Sequence, residues 1–555
     1  MSKTKTALGA AMVVAAGLTA LTAGNAAAGD AQNGVRHVLL ISVDGLHQQD
    51  LTWYVDHHPS SALAALVGRG VDYTNASTPV PSDSFPGMVA QVTGGNPATT
   101  GVYYDDTFNH ALLPAGTTKC AGVKPGVEVT YFEALDKNPL SLDAGQGLAG
   151  LPGSILNMTG NPRTLIDPAT LPVDPKTCTP VYPHQYLKVN TVFEVARQAG
   201  LGTAWSDKHV AYEILSGPSG TGIQDLFAPE INSQVPGGPA GGDWTTDNAS
   251  TRQYDSYKVT AVLNEIDGFD HSRTHKVGTP AIFGMNFQTV STGQKLPVSD
   301  GMPGGYLADG VTPGPLLASS LDYINTQIGS FVAELRRDHL DRSTEIILSA
   351  KHGQSPTQPA ALTRIPNGPL IDGLNAAWTA AHPGAGPLVA QVTADDALLL
   401  WLSDRSPAAT GFAKQYLLGH SGIGNDINGN PKAYTASGLQ TVYAGAAAAR
   451  FFHVTPGDPR VPDLFGVVQH GVVFTGGKGK IAEHGGAGQQ DRNVPIVVAG
   501  ASTVDSENGG LLVNRPVETT QIAPTILRLL GLNPGALQAV RIEHTAVLPG
   551  IEEGR

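Results

Sequence analysis

The stretch His37-Val38-Leu39-Leu40-Ile41-Ser42-Val43, closed by Asp44-Gly45, shows no alternation of polar and apolar residues. A strand without a polar face must be covered on both sides, and that requirement is met in parallel sheets flanked by helices. Further strand candidates of this kind follow at Gly202-Thr203-Ala204-Trp205, Ala281–Phe287, Thr344–Ser349 and Pro495–Gly500. Helical patterns stand between them: Val192–Gln198 with Asn190 as its expected N-cap, Tyr257–Ile266, and the amphipathic series Leu316, Leu317, Leu321, Ile324, Ile328, Phe331, Val332, Leu335. Strands alternating with helices predict the α/β class, a doubly wound and mostly parallel sheet.

Two segments break the rhythm. Residues 106–188 carry Gly, Pro and Asn without sustained period and read as a loop elaboration at the surface. Residues 355–455 read as an inserted cap, with a hairpin in Leu388–Leu402 and an Ala-rich helix around Tyr443–Arg450. The core is expected to resume at Gly471-Val472-Val473-Phe474 and to close with a helix over Thr520–Leu530. Ahead of the domain, at 29–555, residues 1–28 have the three parts of a secretory signal peptide: Lys3 and Lys5, the apolar Ala7–Leu21, and Ala26-Ala27-Ala28 before Gly29. The expected location is therefore extracellular or periplasmic. In such an oxidising compartment the chain's two cysteines, Cys120 and Cys178, favour one disulfide. No later segment reads as membrane-spanning. With 34 basic and 47 acidic residues the formal charge is −13, which excludes a nucleic-acid groove and requires any phosphate to be met locally. The sequence leaves the oligomeric state open.

Ligands of open α/β sheets bind where the strands end, so the polar residues that terminate the strands should converge. Asp44 follows the first strand, Lys351-His352 the strand Thr344–Ser349, and Asp207-Lys208-His209 the strand ending at Trp205; Glu483-His484 completes the set. Taken singly, each has a plainer reading: Asp-Gly is a common turn, and a lone histidine is more often structural. Ser84 precedes a helix expected from about Gly87, with Pro86 at its first position, where free N–H groups attract a phosphate. As a mere cap it competes with Ser82 and Asp83. Asp56-His57-His58 follows no strand and reads as exposed.

Taken together, Leu39–Gly45, Ser84-Phe85-Pro86-Gly87 with Thr93-Gly94, Thr100–Asp106, Ala350-Lys351-His352-Gly353, Glu483-His484-Gly485-Gly486 with Asn493-Val494-Pro495, and the tail Thr519–Leu527 resemble the alkaline phosphatase superfamily, most closely its type I phosphodiesterase/nucleotide pyrophosphatase branch. The resemblance implies a hydrolase of phosphodiester or pyrophosphate bonds in which a hydroxyl attacks phosphorus, a phospho-enzyme forms, and two metals assist. It makes Ser84 the nucleophile, Asp44 and His352 ligands of one metal, and His484 a ligand of the other. Asp105 falls where the family commonly has an Asn that donates to a phosphate oxygen.

The sequence departs from the family in two places. Lys351 replaces an Asp, and the stretch Asn286–Gln294 lacks the Asp-x-x-x-His pair, while Asp267 and His271 have that spacing but precede the strand. Four of seven expected positions remain, too few for two zincs. The expectation is then one divalent ion, zinc, on Asp44, His352 and His484, with Lys351 supplying the second positive charge as a catalytic residue. Asp105, Lys208, His209 and Gln288 are expected substrate contacts for a small phosphorylated or anionic molecule. A phosphomonoesterase and a catalytically silent anion-binding protein on the same fold are the alternatives.

Overall fold

The computed structural model describes residues 34–238, 241–500 and 510–551, so the expected signal peptide lies outside the described residues. Among the described residues eight strands form the central sheet: β1 His37–Val43, β2 Val71–Tyr73, β3 Ala204–Ser206, β4 Asp225–Phe227, β5 Ile282–Phe287, β6 Thr344–Ser349, β7 Val497–Gly500 and β8 Leu511–Val513. Their spatial order is β8-β2-β7-β6-β1-β5-β3-β4. β7 runs antiparallel to β6 and β2, and the other pairings are parallel. The fold is thus the α/β, mostly parallel sheet that the apolar runs require.

Alternate residues of β1 point to opposite faces. Val38 and Leu40 join one core with Met88, Val89 and Ile526, while Leu39, Ile41 and Val43 join another with Leu317, Leu321, Ile324 and Phe331. Both faces are covered, which is why the strand has no polar period. The helices that matter for the site are α1 Ser84–Thr93, α2 Asn248–Ile266 and α3 Pro315–Arg337.

Several boundaries differ from expectation, each for a local reason. α1 starts at Ser84 rather than near Gly87, because the Asp83 side chain accepts the N–H of Phe85 at 3.1 Å and caps the helix there. Pro86 then sits at the third helical position, where its missing N–H still costs no bond. Val192–Gln198 is capped by Thr191 in a capping box with Glu194, not by Asn190. α2 begins nine residues ahead of Tyr257: Asp247 caps it, and its first turns bury Asn248, Thr251 and Asp255, which hide the apolar period.

The hairpin Val389–Ala394/Ala397–Leu402 forms as expected. Leu464–Val468 and Leu439–Ala444 extend it to a four-stranded sheet, and the Ala-rich helix covers Ala446–Phe451, with Tyr443 in the preceding strand. Val472–Phe474 does not return to the central sheet; it pairs with Thr363–Ile365 in a second small sheet, so the inserted strands run to Phe474 and not to 455. A three-residue apolar run carries no signal that distinguishes the two sheets. Residues 106–188 are more than a surface loop: they contain the hairpin Asp106–Asn109/Val127–Thr130 and the Cys120–Cys178 disulfide, and they send Tyr131, Leu135, Ile155 and Leu165 into the main core. Among the described residues no helix is long and apolar enough to cross a membrane.

Candidate active site

Four strand ends meet at one edge of the sheet. Asp44 follows β1, Asp207 and Lys208 follow β3, Asn286 lies near the end of β5 with Gln288 just past it, and Lys351 and His352 follow β6. α1 points its first turn at them, bringing Ser84. Gly87 is what permits this approach: a side chain there would run into the backbone carbonyl of Lys351. Ser84, Asp44 and His352 are all buried.

Three groups surround the Ser84 hydroxyl. Lys208 Nζ donates to Oγ at 2.9 Å, His352 Nε2 lies 3.2 Å away, and Asp44 Oδ2 lies 3.4 Å away. His352 Nδ1 faces the carbonyl oxygen of Gly353 at 2.8 Å. That oxygen can only accept, so Nδ1 carries the proton and Nε2 of the neutral ring is left as an acceptor. Burial, partly opposed by Asp44, keeps the His352 pKa below its ordinary value, which favours the neutral ring.

Asp44 is held on both oxygens. Asn286 Nδ2 donates to Oδ1 at 2.7 Å, and Gln288 Nε2 at 2.6 Å and Lys208 Nζ at 2.9 Å donate to Oδ2. Although burial works against the charge, Lys208 and Lys351 hold the Asp44 pKa well below the carboxylate range. Reciprocally, burial of Lys208 is outweighed by Asp44, and its ammonium persists above the ordinary lysine value. The turn that presents Gln288 is fixed from α2, where Asp255 accepts the N–H groups of Gln288 and Thr289 at 2.9 Å and Lys258 Nζ donates to the Asn286 carbonyl at 2.5 Å.

Lys351 does not stand on the nucleophile. Its fully buried ammonium is bound by Asp207 Oδ1 and the Tyr212 hydroxyl, both at 2.8 Å, and lies 4.1 Å from the Tyr212 ring centroid. Asp207 in turn accepts Trp205 Nε1 and the backbone N–H of Lys208, each at 2.9 Å. Lys351 thus supports the turn from which Lys208 reaches Ser84. His209 turns the other way, with Nδ1 2.7 Å from Glu230 Oε1, and it meets neither Ser84 nor Asp44.

A wall of acids faces this cation pair. The ring centroids of His484 and His352 lie 3.9 Å apart, and His484 Nδ1 lies 3.4 Å from Asp83 Oδ1. The inserted hairpin contributes its turn: Asp395 Oδ2 accepts the Tyr104 hydroxyl at 2.7 Å, and the Asp396 N–H donates to the His484 carbonyl at 3.0 Å. Burial, then the nearby Asp83 charge, pushes the carboxyl of Asp105 up to about 8, so it holds a proton at neutrality; burial and Glu483 raise Asp395 to about 7, and burial, opposed by the Ser84 and Phe85 N–H groups, raises Asp83 only to about 6. Glu483 is the exception, since Lys295 and Lys480 overcome its burial and hold it down at about 2.

The resemblance calls for metal at this position, and the donor set does not fit it. Both oxygens of Asp44 are occupied by N–H donors, His352 Nε2 is turned to Ser84, and the carboxylate expected at 351 is a lysine. Asn286 and Gln288 present carboxamides where another carboxylate would be needed. Asp267 and His271 are not recruited: Asp267 pairs with Arg273 and Arg337, and His271 with Asp225. Among the described residues no group of three or more His, Cys, Asp or Glu stands close enough to hold a metal ion. Where the expectation set a single ion on Asp44, His352 and His484, the structure has an ammonium, Lys208, on the Asp44 side of the nucleophile.

Sequence reasoning placed Asp44, Ser84, Lys208, Gln288 and His352 together, and the structure brings them within hydrogen-bonding reach. Asn286 and Tyr212 were missed. Asn286 carried a signal, being a polar residue near the end of a buried strand; Tyr212 carried none.

A family model described as type I phosphodiesterase / nucleotide pyrophosphatase matches residues 38–489. No curated protein matches the chain. Among solved structures, murine ectonucleotide pyrophosphatase / phosphodiesterase 5 is similar, with a TM-score of 0.52 at 13% identity over 90% of this chain and 96% of that one. An inactive form of the same murine protein in complex with AMP gives 0.51 at 12% identity, with the same coverage.

Proposed function

Because the chain belongs to the type I phosphodiesterase/nucleotide pyrophosphatase family of phosphoric ester hydrolases, we propose that it cleaves phosphodiester or pyrophosphate bonds with Ser84 as nucleophile, through a phosphoserine intermediate. The observation that carries this reading is the Ser84 hydroxyl at the first turn of α1, bonded by Lys208 and within 3.2 Å of His352. The positive end of the α1 dipole and the Lys208 ammonium offer a phosphoryl oxygen local positive charge in an otherwise acidic protein.

The acids opposite favour a diester over a monoester. Asp83 and, in part, Asp395 are ionised at neutrality and repel a dianion more than the single charge of a diester, while Asp105, still protonated there, can donate to a phosphate oxygen or a leaving group. A nucleotide-type substrate agrees with the AMP held by the murine relative. The Cys120–Cys178 disulfide supports action outside the cytoplasm, after removal of the N-terminal segment.

The test is hydrolysis of bis(p-nitrophenyl) phosphate and p-nitrophenyl phosphate by the wild type and Ser84→Ala, with and without added zinc. Diester turnover that exceeds monoester turnover and disappears in Ser84→Ala is expected. Tight anion binding with no turnover of either ester would make the chain a binding protein on a hydrolase fold.

A further inference from the structure

The groups around Ser84 form a complete path for its proton without any metal. Gly353 O fixes the His352 tautomer, so Nε2 presents a lone pair to Oγ at 3.2 Å. Lys208 Nζ already donates to Oγ at 2.9 Å, which leaves the Ser84 proton free to point at His352. Asp44, oriented by Asn286 and Gln288, accepts from Lys208 and holds that ammonium in place. Where a second cation would need carboxylates, the chain presents the ammonium of Lys351 and the carboxamides of Asn286 and Gln288. We propose that this chain activates Ser84 with its own side chains, His352 as general base and Lys208 as the fixed positive charge, and that the reaction requires no divalent metal.

This rests on the reading of Ser84 as nucleophile and adds how it is activated. In the first step the Ser84 Oγ–P bond forms, the P–O bond to the leaving group breaks, and the Ser84 proton passes to His352 Nε2; the leaving group takes the bonding electron pair and is protonated by solvent. In the second step water attacks phosphorus on the side the leaving group vacated and loses its proton to solvent. The Oγ–P bond then breaks, and His352 returns its proton to Oγ. Lys208 stays charged throughout and opposes the negative charge that develops on Oγ in both steps, a role that fixed dipoles and ammonium groups fill without reorganisation. Lys351, bound to Asp207, is a positioning residue for the turn that carries Lys208.

The experiment uses the full mature chain, stripped with dipicolinate and with its metal content measured. Two readouts are taken: turnover of bis(p-nitrophenyl) phosphate, and covalent labelling of Ser84 by paraoxon, followed by intact mass and peptide mapping. Turnover unchanged within about twofold after stripping, with Ser84 labelled in the stripped protein, is the expected result. His352→Gln and Lys208→Met should each lower the stripped rate by about a hundredfold or more, the range for removing a general base or one stabilising charge. The labelling of stripped wild type keeps the test valid even if a variant folds poorly. Loss of turnover and labelling on stripping, restored by stoichiometric zinc, would overturn the metal-free mechanism and leave the nucleophile standing. No turnover and no labelling with or without zinc would remove Ser84 as nucleophile, and this inference with it.

Discussion

Lys351 is the residue for which sequence and structure assign different work, and a double-mutant cycle with Asp207 separates the two. Both side chains are fully buried and joined at 2.8 Å. Lys351→Met keeps most of the volume but leaves the Asp207 carboxylate in a low-dielectric site with only Trp205 Nε1 and the Lys208 N–H as donors. Removing one partner of a buried ion pair typically costs ~3–5 kcal/mol, whereas replacing both with neutral groups of similar shape is often neutral or stabilising. Asp207→Asn retains an acceptor for one of those donors. The cycle is therefore expected to show Lys351→Met destabilised by ~4 kcal/mol and the double variant Lys351→Met/Asp207→Asn recovering most of it, a coupling of at least ~2 kcal/mol.

Urea denaturation followed by tryptophan fluorescence measures the stability arm, since Trp205 reports on this site. Diester turnover measures the other arm. If Lys351 only supports the Lys208 turn, the double variant should keep activity within about tenfold, well short of the hundredfold or greater loss typical of removing a transition-state charge. A stable double variant with activity lost beyond a hundredfold would refute the positioning role and return Lys351 to direct contact with the phosphoryl group. A single Lys351→Met change costing under ~1 kcal/mol would refute the reasoning about the buried pair itself.

Asp72, on β2, carries a buried carboxyl whose Oδ2 accepts Gln48 Nε2 at 3.4 Å and whose Oδ1 has no hydrogen-bond partner among the described residues, and burial raises its pKa from 3.8 to about 6. The folded chain holds that proton to higher pH than the unfolded one, so the penalty is absent below about pH 4 and grows to ~3 kcal/mol as pH rises through 6. Asp72→Asn should therefore raise the unfolding midpoint at pH 7.5 and leave it nearly unchanged at pH 4, and an equal effect at both pH values would contradict this. Gly87→Ala should push α1 off the Lys351 carbonyl, lowering diester turnover by about a hundredfold for a displacement near 1 Å; wild-type kinetics in this variant would mean the approach of Ser84 is not set there. Cys120→Ser/Cys178→Ser opens a loop of 58 residues and should cost up to ~4 kcal/mol on the chain-entropy account, read as a lower thermal midpoint than the wild type in non-reducing buffer.

What could be read from the sequence follows the range of each interaction. β1, β5 and β6 were legible because a strand covered on both faces must be apolar throughout, and Asp44, Gln288 and His352 were then located by a rule of topology, that strand ends converge. The start of α1 was misplaced by three residues because capping is decided by one hydrogen bond, Asp83 to Phe85 N–H, against Ser82 and Ser84 as equally suitable residue types. The pairing of Val472–Phe474 was misplaced because three apolar residues fit either sheet.

The lysines show the same limit at the site. Their sequence positions mark both as strand-end cations, but which ammonium meets Ser84 depends on Asp207, which is Lys208's neighbour in the chain and Lys351's partner in space. By taking Lys351, Asp207 leaves Lys208 free to reach Asp44 and Ser84, and that division of two positive charges between a supporting and a reacting role is fixed by tertiary structure alone. A loss of ligands read position by position suggests a failing metal site; the same substitutions read together, with Lys208 2.9 Å from the hydroxyl, give a hydroxyl whose charge and proton partners are all supplied by the chain.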